Sequence, residues 1–423
     1  MEGPLKYPRY RYAVLIAFML ITVAIEIQWL AHAAVARPAE VFYAGQFSSS
    51  SFFNIDFLAM VYMIAFLIMS FPASYIIDTY GIKKGIGIGA FLLGVFSLVK
   101  AIFATSFVGV VVAQVGLAIA QPFILNAVTA LTVRWFPLNE RAVAAGLSAL
   151  AQYIGIVVAM LVTPMLIGSD PSSPDYGSGF EKMLWIYAAI CIIASALFFI
   201  VIKEKPEAIP FDKSERVPFI GGVKHIFAHR DMRITILLFL IGLGIFNAVS
   251  SMTDSIAESL GVKDSNGLIG GLMLIGGIIG AIVIPILSDY YRKRKLFLII
   301  CLAGMVPGVA GLTFASHLGH QPDQVYNIAL IASFILGFFV MSAGPIGFQY
   351  AAEVSYPAPE SASQGILLWV GQLTGMIFVA GMSIKNNLYL SEIMTVFSIL
   401  SIVSLIIVLF LRESPFMKGS IQQ

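Results

Sequence analysis

Pro72-Ala-Ser-Tyr-Ile-Ile-Asp78-Thr-Tyr-Gly81-Ile-Lys83-Lys84 closes the second long apolar run of this chain. Pro285-Ile-Leu-Ser-Asp289-Tyr-Tyr-Arg292-Lys293-Arg294-Lys295 closes the eighth. Each places an aspartate behind an apolar run and basic residues just after it, and the two aspartates are 211 residues apart. A second pair of matches follows the first. The fourth run holds Ala120-Gln121-Pro122 with Asn126, then Pro137, Glu140 and Gly146. The tenth holds Ala343-Gly344-Pro345 with Gln349, then Pro357, Glu360 and Gly365, at an offset that drifts from 223 to 219. Two matches at similar offset, each at the same ordinal within its half, mark a duplicated unit.

Working outward, apolar runs long enough to cross a bilayer as helices fill nearly the whole chain. Twelve are predicted, at 11–34, 54–77, 85–104, 107–134, 141–167, 182–202, 233–256, 267–288, 296–315, 325–350, 362–383 and 392–411. Only 11% of the 423 residues are charged and 59% are hydrophobic, against about 25% charged in a soluble domain. The fold class is therefore an all-α membrane protein, with twelve transmembrane helices in two pseudo-symmetric six-helix bundles. The expected organisation is a first bundle over 1–202, a linker over 203–232 with a short interfacial helix at Val223–His229, and a second bundle over 233–423. The first apolar run is too long for a signal peptide and lacks a small-residue cleavage site. Cys191 and Cys301 both sit in apolar runs and read as small core residues, giving neither a disulfide framework nor a metal site.

Lysine and arginine set the orientation. With the N-terminus inside, only Arg37, Lys100, Lys182, Lys263 and Lys385 fall outside, which leaves 20 of the 25 basic residues on the cytoplasmic side. Both termini and the linker are thus expected in the cytoplasm, in a plasma or inner membrane. A net charge of +2 with no basic face offers nothing to a nucleic acid.

Six-helix halves repeated in this way are the architecture of the major facilitator superfamily. The loop after the second run resembles that superfamily's signature, G-x-x-x-D-R-x-G-R-R. Asp78, Gly81, Lys83 and Lys84 match it, while Ser74 and Thr79 depart. An aspartate there can cap a neighbouring helix and pair with a base, forming a latch that breaks when the halves rock. The second copy keeps Asp289 and the basic run but has Arg292 in place of the glycine. The alternative is that these bases only anchor the chain at the membrane surface. The resemblance also implies that spans 1, 4, 7 and 10 line a central cavity, while 3, 6, 9 and 12 face lipid.

Polar residues within the runs follow that division. The first run has Glu26, Gln28, Trp29 and His32; the fourth has Gln121 and Asn126; the fifth has Gln152 and Tyr153. The seventh has Asn247, with Asp254 and Glu258 nearer its outer end; the tenth has Gln349; the eleventh has Trp369 and Gln372. Charged groups inside a bilayer are costly and usually functional. Glu26 is the one carboxylate well inside a span. It either carries a coupling proton or balances a cationic substrate, or it is a structural carboxyl bonded across to another helix. His32 can relay a proton to it or simply be satisfied at the cavity mouth. Asn126 and Gln349 stand beside prolines, where substrate contact and repair of a disturbed helix are equal alternatives. No lysine or arginine lies at mid-depth in a cavity-lining span, and Lys100 is expected to snorkel from the outer end of the third. An anion site normally offers a buried base, so the substrate is expected to be cationic, zwitterionic or neutral. Trp29, Tyr153 and Trp369 supply aromatic faces for a quaternary ammonium.

A narrower likeness is carried by Ala120-Gln-Pro-Phe-Ile-Leu-Asn126, Arg134-Trp135-Phe136 and Asn139-Glu140-Arg141-Ala142. Glu353-x-x-Tyr356-Pro357-x-x-Glu360 carries it too, followed by Gly365, Gln372, Gly375 and Phe378, as does Gln28-Trp29. These stretches resemble the feline leukaemia virus subgroup C receptor-related transporters, a family linked to choline, ethanolamine and haem. The resemblance implies a substrate site at Trp29, Gln152 and Gln372. Asn247 stands where that family places a tyrosine, and Glu26 is outside its pattern. Both departures point to a proton-coupled relative with a different small polar or cationic substrate.

The expected function is secondary transport by alternating access, with Glu26 supplying charge. A multidrug/proton antiporter, an organic-anion symporter and a non-transporting receptor are the alternatives. No paired acid and base, nucleophile or nucleotide-binding motif indicates an enzyme. The expected partners are a small molecule, a proton and the lipid bilayer, with no cofactor or metal, and the chain is expected to be a monomer.

Overall fold

The computed structural model describes residues 9–47, 55, 57–168, 174–205, 219–262, 267–382 and 389–418. Among them, twelve helices are long and apolar enough to cross a bilayer. They are α1 (Tyr10–Leu30), α2 (Phe57–Tyr80), α3 (Ile82–Ile102), α4 (Phe107–Trp135), α5 (Leu138–Leu166) and α6 (Phe180–Val201). The second set is α7 (Arg230–Ser251), α8 (Leu268–Tyr291), α9 (Arg294–Leu318), α10 (Pro322–Val354), α11 (Glu360–Met382) and α12 (Leu390–Val408). Every expected span is present. Lys263, Lys385 and the linker residues 206–218 lie outside the described residues, as do the side chains of Arg37 and Asp254.

Two differences in the span ends have a physical cause. α1 stops at Leu30 and α7 at Ser251 because each helix breaks and resumes, as Ala36–Phe42 and Thr253–Ser259. Val35 (φ −135°, ψ 42°) and Met252 (φ −118°, ψ 20°) carry the non-helical backbone. The apolar run continues across Ala31–Val35, so hydropathy conceals the first break. Another short helix, Phe219–Ala228, precedes α7 and buries Gly222 and Ile226 along one face.

Pro122 and Pro345 occupy matching places but act differently. A proline lacks an N–H and disturbs the turn around it. α4 is interrupted after Leu125 and resumes at Val128, whereas α10 runs unbroken past Pro345.

The chain forms two compact units. Unit 1 comprises Met1–Phe136 and Ala151–Lys213; unit 2 comprises Pro137–Leu150 and Ser214–Gln423. The first turns of α5 thus belong with unit 2. Ile193, Phe199 and Ile200 of α6 are exposed, as are Ile399, Ile402, Ile406 and Phe410 at and beyond α12. Such apolar surface suits a lipid solvent and would be a liability in water.

Candidate functional site

In unit 1 the site grows from one close helix approach. At Gly155 of α5, a Cβ would stand 2.6 Å from the Val23 carbonyl oxygen and 2.7 Å from the Glu26 Cβ, so only glycine lets α5 lie this near α1. Gln152, one turn earlier on α5, consequently approaches the Glu26 carboxyl. From α4, Gln121 Nε2 donates to Glu26 Oε1 at 3.2 Å. Glu26 is wholly buried, and its Oε2 has no hydrogen-bond partner among the described residues. Burying a carboxyl costs several kcal/mol unless it is neutralised or paired, by roughly the desolvation penalty of an ion. Glu26 is therefore a costly group with one oxygen uncommitted.

Aromatic side chains complete this face. Tyr62 of α2 and Tyr153 of α5 lie within electrostatic reach of the carboxyl. The Trp29 ring, three residues along α1 from Glu26, is 6.3 Å from that of Tyr62, and its indole N–H donates to the Ala59 carbonyl at 3.1 Å. Unit 1 thus brings together Glu26, Trp29, Gln152 and Tyr153, and adds Gln121 and Tyr62. A tyrosine in an apolar helix reads as core, so only its place beside Glu26 reveals Tyr62.

In unit 2, α11 approaches α7 through Gly371-Gln-Leu-Thr-Gly375, the small-x-x-x-small spacing that lets two membrane helices touch. A Cβ on Gly375 would lie 2.8 Å from the Asn247 Cβ. Asn247 Nδ2 donates to the Gly371 carbonyl at 3.3 Å, and Thr374 Oγ1 donates to the Leu240 carbonyl at 2.8 Å. Asn247, Gln372 and Trp369 are all partly exposed on this pair of helices.

Other predicted site residues are placed elsewhere. Asn126 is buried, and its Nδ2 donates to Ser70 O (3.0 Å), Ser70 Oγ (2.9 Å) and Ser74 Oγ (3.0 Å), tying the interrupted part of α4 to α2. Gln349 is wholly buried in α10. His32 lies beyond the end of α1, stacked on Phe180 with ring centroids 6.0 Å apart and 6.3 Å from the Tyr43 ring. His32 thus sits among aromatic rings within electrostatic reach of Lys100, whereas the Glu26 carboxyl meets the amides of Gln121 and Gln152. Glu258 is exposed.

One expectation is overturned. Lys100 does not snorkel to the surface: it is 0% exposed, and its Nζ donates to Gln28 Oε1 at 3.0 Å and Gln28 O at 3.4 Å. Its helix turns that face towards α1, so the side chain reaches inward. A buried base therefore exists in unit 1, and the exclusion of anions for want of one loses its premise.

The loop motifs differ in what they hold. Gly81 has φ 97°, and a Cβ there would meet the Glu204 carboxyl at 2.4 Å. Glu204, just past α6, accepts the N–H groups of Ile82 (3.1 Å) and Lys83 (2.9 Å) and so caps α3; its Oε1 also lies 3.4 Å from Arg134 Nε. Asp78 is half-buried, and the Lys83 and Lys84 side chains are exposed. In the last turn of α8, Asp289 is buried; its Oδ2 accepts the Val143 N–H at 2.9 Å near the start of α5, and its Oδ1 accepts from Arg294. Arg294 also donates to Glu353 Oε1 from Nη2 at 3.2 Å. The pairing base is Arg294, while Arg292 is exposed at the left-handed C-cap of α8 with φ 54°. Cap and base thus meet at Asp289, the copy with the poorer motif. Glu204 and Glu413, whose Oε1 accepts the Lys295 N–H at 3.1 Å, carry no motif that would mark them, and Glu353 stands in a family-like stretch that does not announce its pairing with Arg294.

Among the described residues, no group of three or more His, Cys, Asp or Glu side chains is placed to hold a metal ion. The family model described as Major Facilitator Superfamily matches residues 13–380. The chain is 29% identical over 384 residues to solute carrier family 49 member A3 of Xenopus tropicalis, covering 87% of this chain and 76% of that protein. It is 25% identical over 386 residues to the choline/ethanolamine transporter FLVCR2 of Homo sapiens, covering 88% and 72%. The solved structure of the proton:xylose symporter XylE superposes with a TM-score of 0.73 at 15% identity, covering 96% of each chain. The human organic anion transporter MFSD10 gives a TM-score of 0.67 at 12% identity, covering 95% of this chain and 100% of that one.

Proposed function

Because the chain belongs to the major facilitator superfamily, we propose that it is a secondary transporter of a small cationic or zwitterionic organic solute, working by alternating access and coupled to protons through Glu26. The observation that carries this reading is the wholly buried Glu26 with one carboxyl oxygen uncommitted, set beside Trp29 and Tyr62. A carboxyl in that setting can hold either a proton or an organic cation, and exchange between the two is a means of coupling. The aromatic faces of Trp29 and Tyr62 favour an ammonium group. Similarity to a choline/ethanolamine transporter makes choline and ethanolamine the first probes. On the same reading Asn247, Gln372 and Trp369 contribute polar contacts from unit 2. The termini are cytoplasmic, and Asp289 with Arg294 acts as a conformational latch.

Uptake of labelled choline and ethanolamine into proteoliposomes tests the proposal. An imposed proton gradient should drive accumulation, and Glu26→Gln should abolish the gradient dependence. Undiminished gradient-driven uptake by that variant would remove Glu26 from the coupling. A second reading, an organic-anion symporter, draws on the buried ammonium of Lys100; uptake of labelled monocarboxylates with no uptake of either amine would favour it.

A further inference from the structure

α1 ends in a way that needs an outside partner. The last carbonyls of a helix have no N–H ahead of them, and α1 stops at Leu30. Ile27 O still accepts the Ala31 N–H at 3.0 Å. Gln28 O, one residue on, is taken by side chains from two other helices: Lys100 Nζ of α3 at 3.4 Å and Gln114 Nε2 of α4 at 3.3 Å. The Lys100 ammonium also binds the Gln28 side-chain oxygen at 3.0 Å, so it grips the same residue twice. A cation at a helix C-terminus meets the negative end of the helix dipole.

The contacts continue to the site. Gln114 Nε2 donates a second time, to Leu58 O at 2.8 Å, in the first turn of α2. The next carbonyl of that turn, Ala59 O, accepts the Trp29 indole N–H. On the far side, Gln28 Nε2 reaches Cys191 Sγ of α6 at 3.5 Å, and that thiol donates to Ala24 O at 3.8 Å. Gln28 lies between Glu26 and Trp29, so what holds Gln28 also sets the depth and rotation of both.

The charge itself calls for a reason. Lys100, Gln28 and Gln114 are each 0% exposed, and among the described residues no carboxylate pairs with Lys100. Burying an ammonium is costly, and a neutral side chain would fill the same space without that cost. Its acceptors are both on Gln28. We propose that Lys100 is a positioning residue of the transport site: its ammonium clamps the last turn of α1 and thereby fixes Trp29 and Glu26 against α2 and α4. This rests on the reading of Trp29 and Glu26 as substrate and coupling residues.

The test compares wild type with Lys100→Met and Lys100→Arg by hydrogen exchange and by choline transport. Losing the charge-assisted hydrogen bonds should speed exchange of the amides of Leu30–Val35 by about tenfold. Exchange within residues 84–97 of α3 and 184–198 of α6 should stay at the wild-type rate. Lys100→Arg should restore protection at Leu30–Val35. For choline, Lys100→Met should raise KM about tenfold, with the maximal rate within about twofold. Unchanged exchange at Leu30–Val35 overturns the proposal, and so does a rise shared equally by α3 and α6. If Lys100→Met does not fold, Gln114→Met is used; it removes the other donor to Gln28 O and has to loosen the same amides, or the proposal fails. Wild-type protein that carries no choline would count against the substrate reading alone, since the exchange result stands without it.

Discussion

Arg294→Met isolates the electrostatics of the motif after α8. Arg294 is wholly buried, and its guanidinium bonds both Asp289 and Glu353, whose side chains are each 3% exposed. Methionine keeps an unbranched stem, so the main change is that two buried carboxylates lose the cation between them. Removing one partner of a buried ion pair costs about 3–5 kcal/mol. Here one cation serves two acids, which raises the cost, while Asp289 keeps the Val143 N–H at 2.9 Å, which lowers it. The expected destabilisation is about 4 kcal/mol. The triple variant Asp289→Asn, Arg294→Met, Glu353→Gln replaces the charges by neutral groups and should recover all but about 1–2 kcal/mol, because the penalty comes from unpaired charge. Unfolding in mixed detergent micelles, followed by the tryptophan signal, supplies both free energies. A single variant within about 0.5 kcal/mol of wild type would refute the argument, as would a triple variant no more stable than the single one.

Gly155→Val should force α5 from α1, because its Cβ would begin 2.6 Å from the Val23 carbonyl. The cost is about 1–3 kcal/mol, and choline affinity should fall at least tenfold, by roughly the overpacking penalty; Gly155→Ala should fall between, both read by thermal stability and ligand binding. Glu204→Ala removes the acceptor for two N–H groups of α3 and should cost about 1 kcal/mol, as for a lost N-cap. Its carboxylate is 35% exposed, so the Arg134 contact adds little to that figure. Glu204→Gln retains one acceptor and should lose about half as much; a denaturation series on the three proteins checks the order.

Twelve spans, the duplication and the all-α class were legible in the chain, because a bilayer demands long apolar helices and duplication leaves matched prolines and aspartates at one offset. Glu26 and Trp29 were visible for a related reason: a polar residue in an apolar run stands out whatever surrounds it. What surrounds it was not visible. Helix phase decides that Arg294, and neither Arg292 nor Lys293, turns inward to Asp289. The break after Leu30 leaves the Gln28 carbonyl to side chains from distant residues, Lys100 and Gln114, which no local pattern announces. Lys100 is the sharpest case. One lysine near a span end is equally able to reach water or a neighbouring helix, and only the packing of α1, α3 and α4 selects the second. The sequence by itself determined how often the chain crosses and which polar residues stand within the apolar runs. Tertiary structure decided which groups those residues meet, because hydropathy is a property of each residue and a hydrogen bond is a property of two.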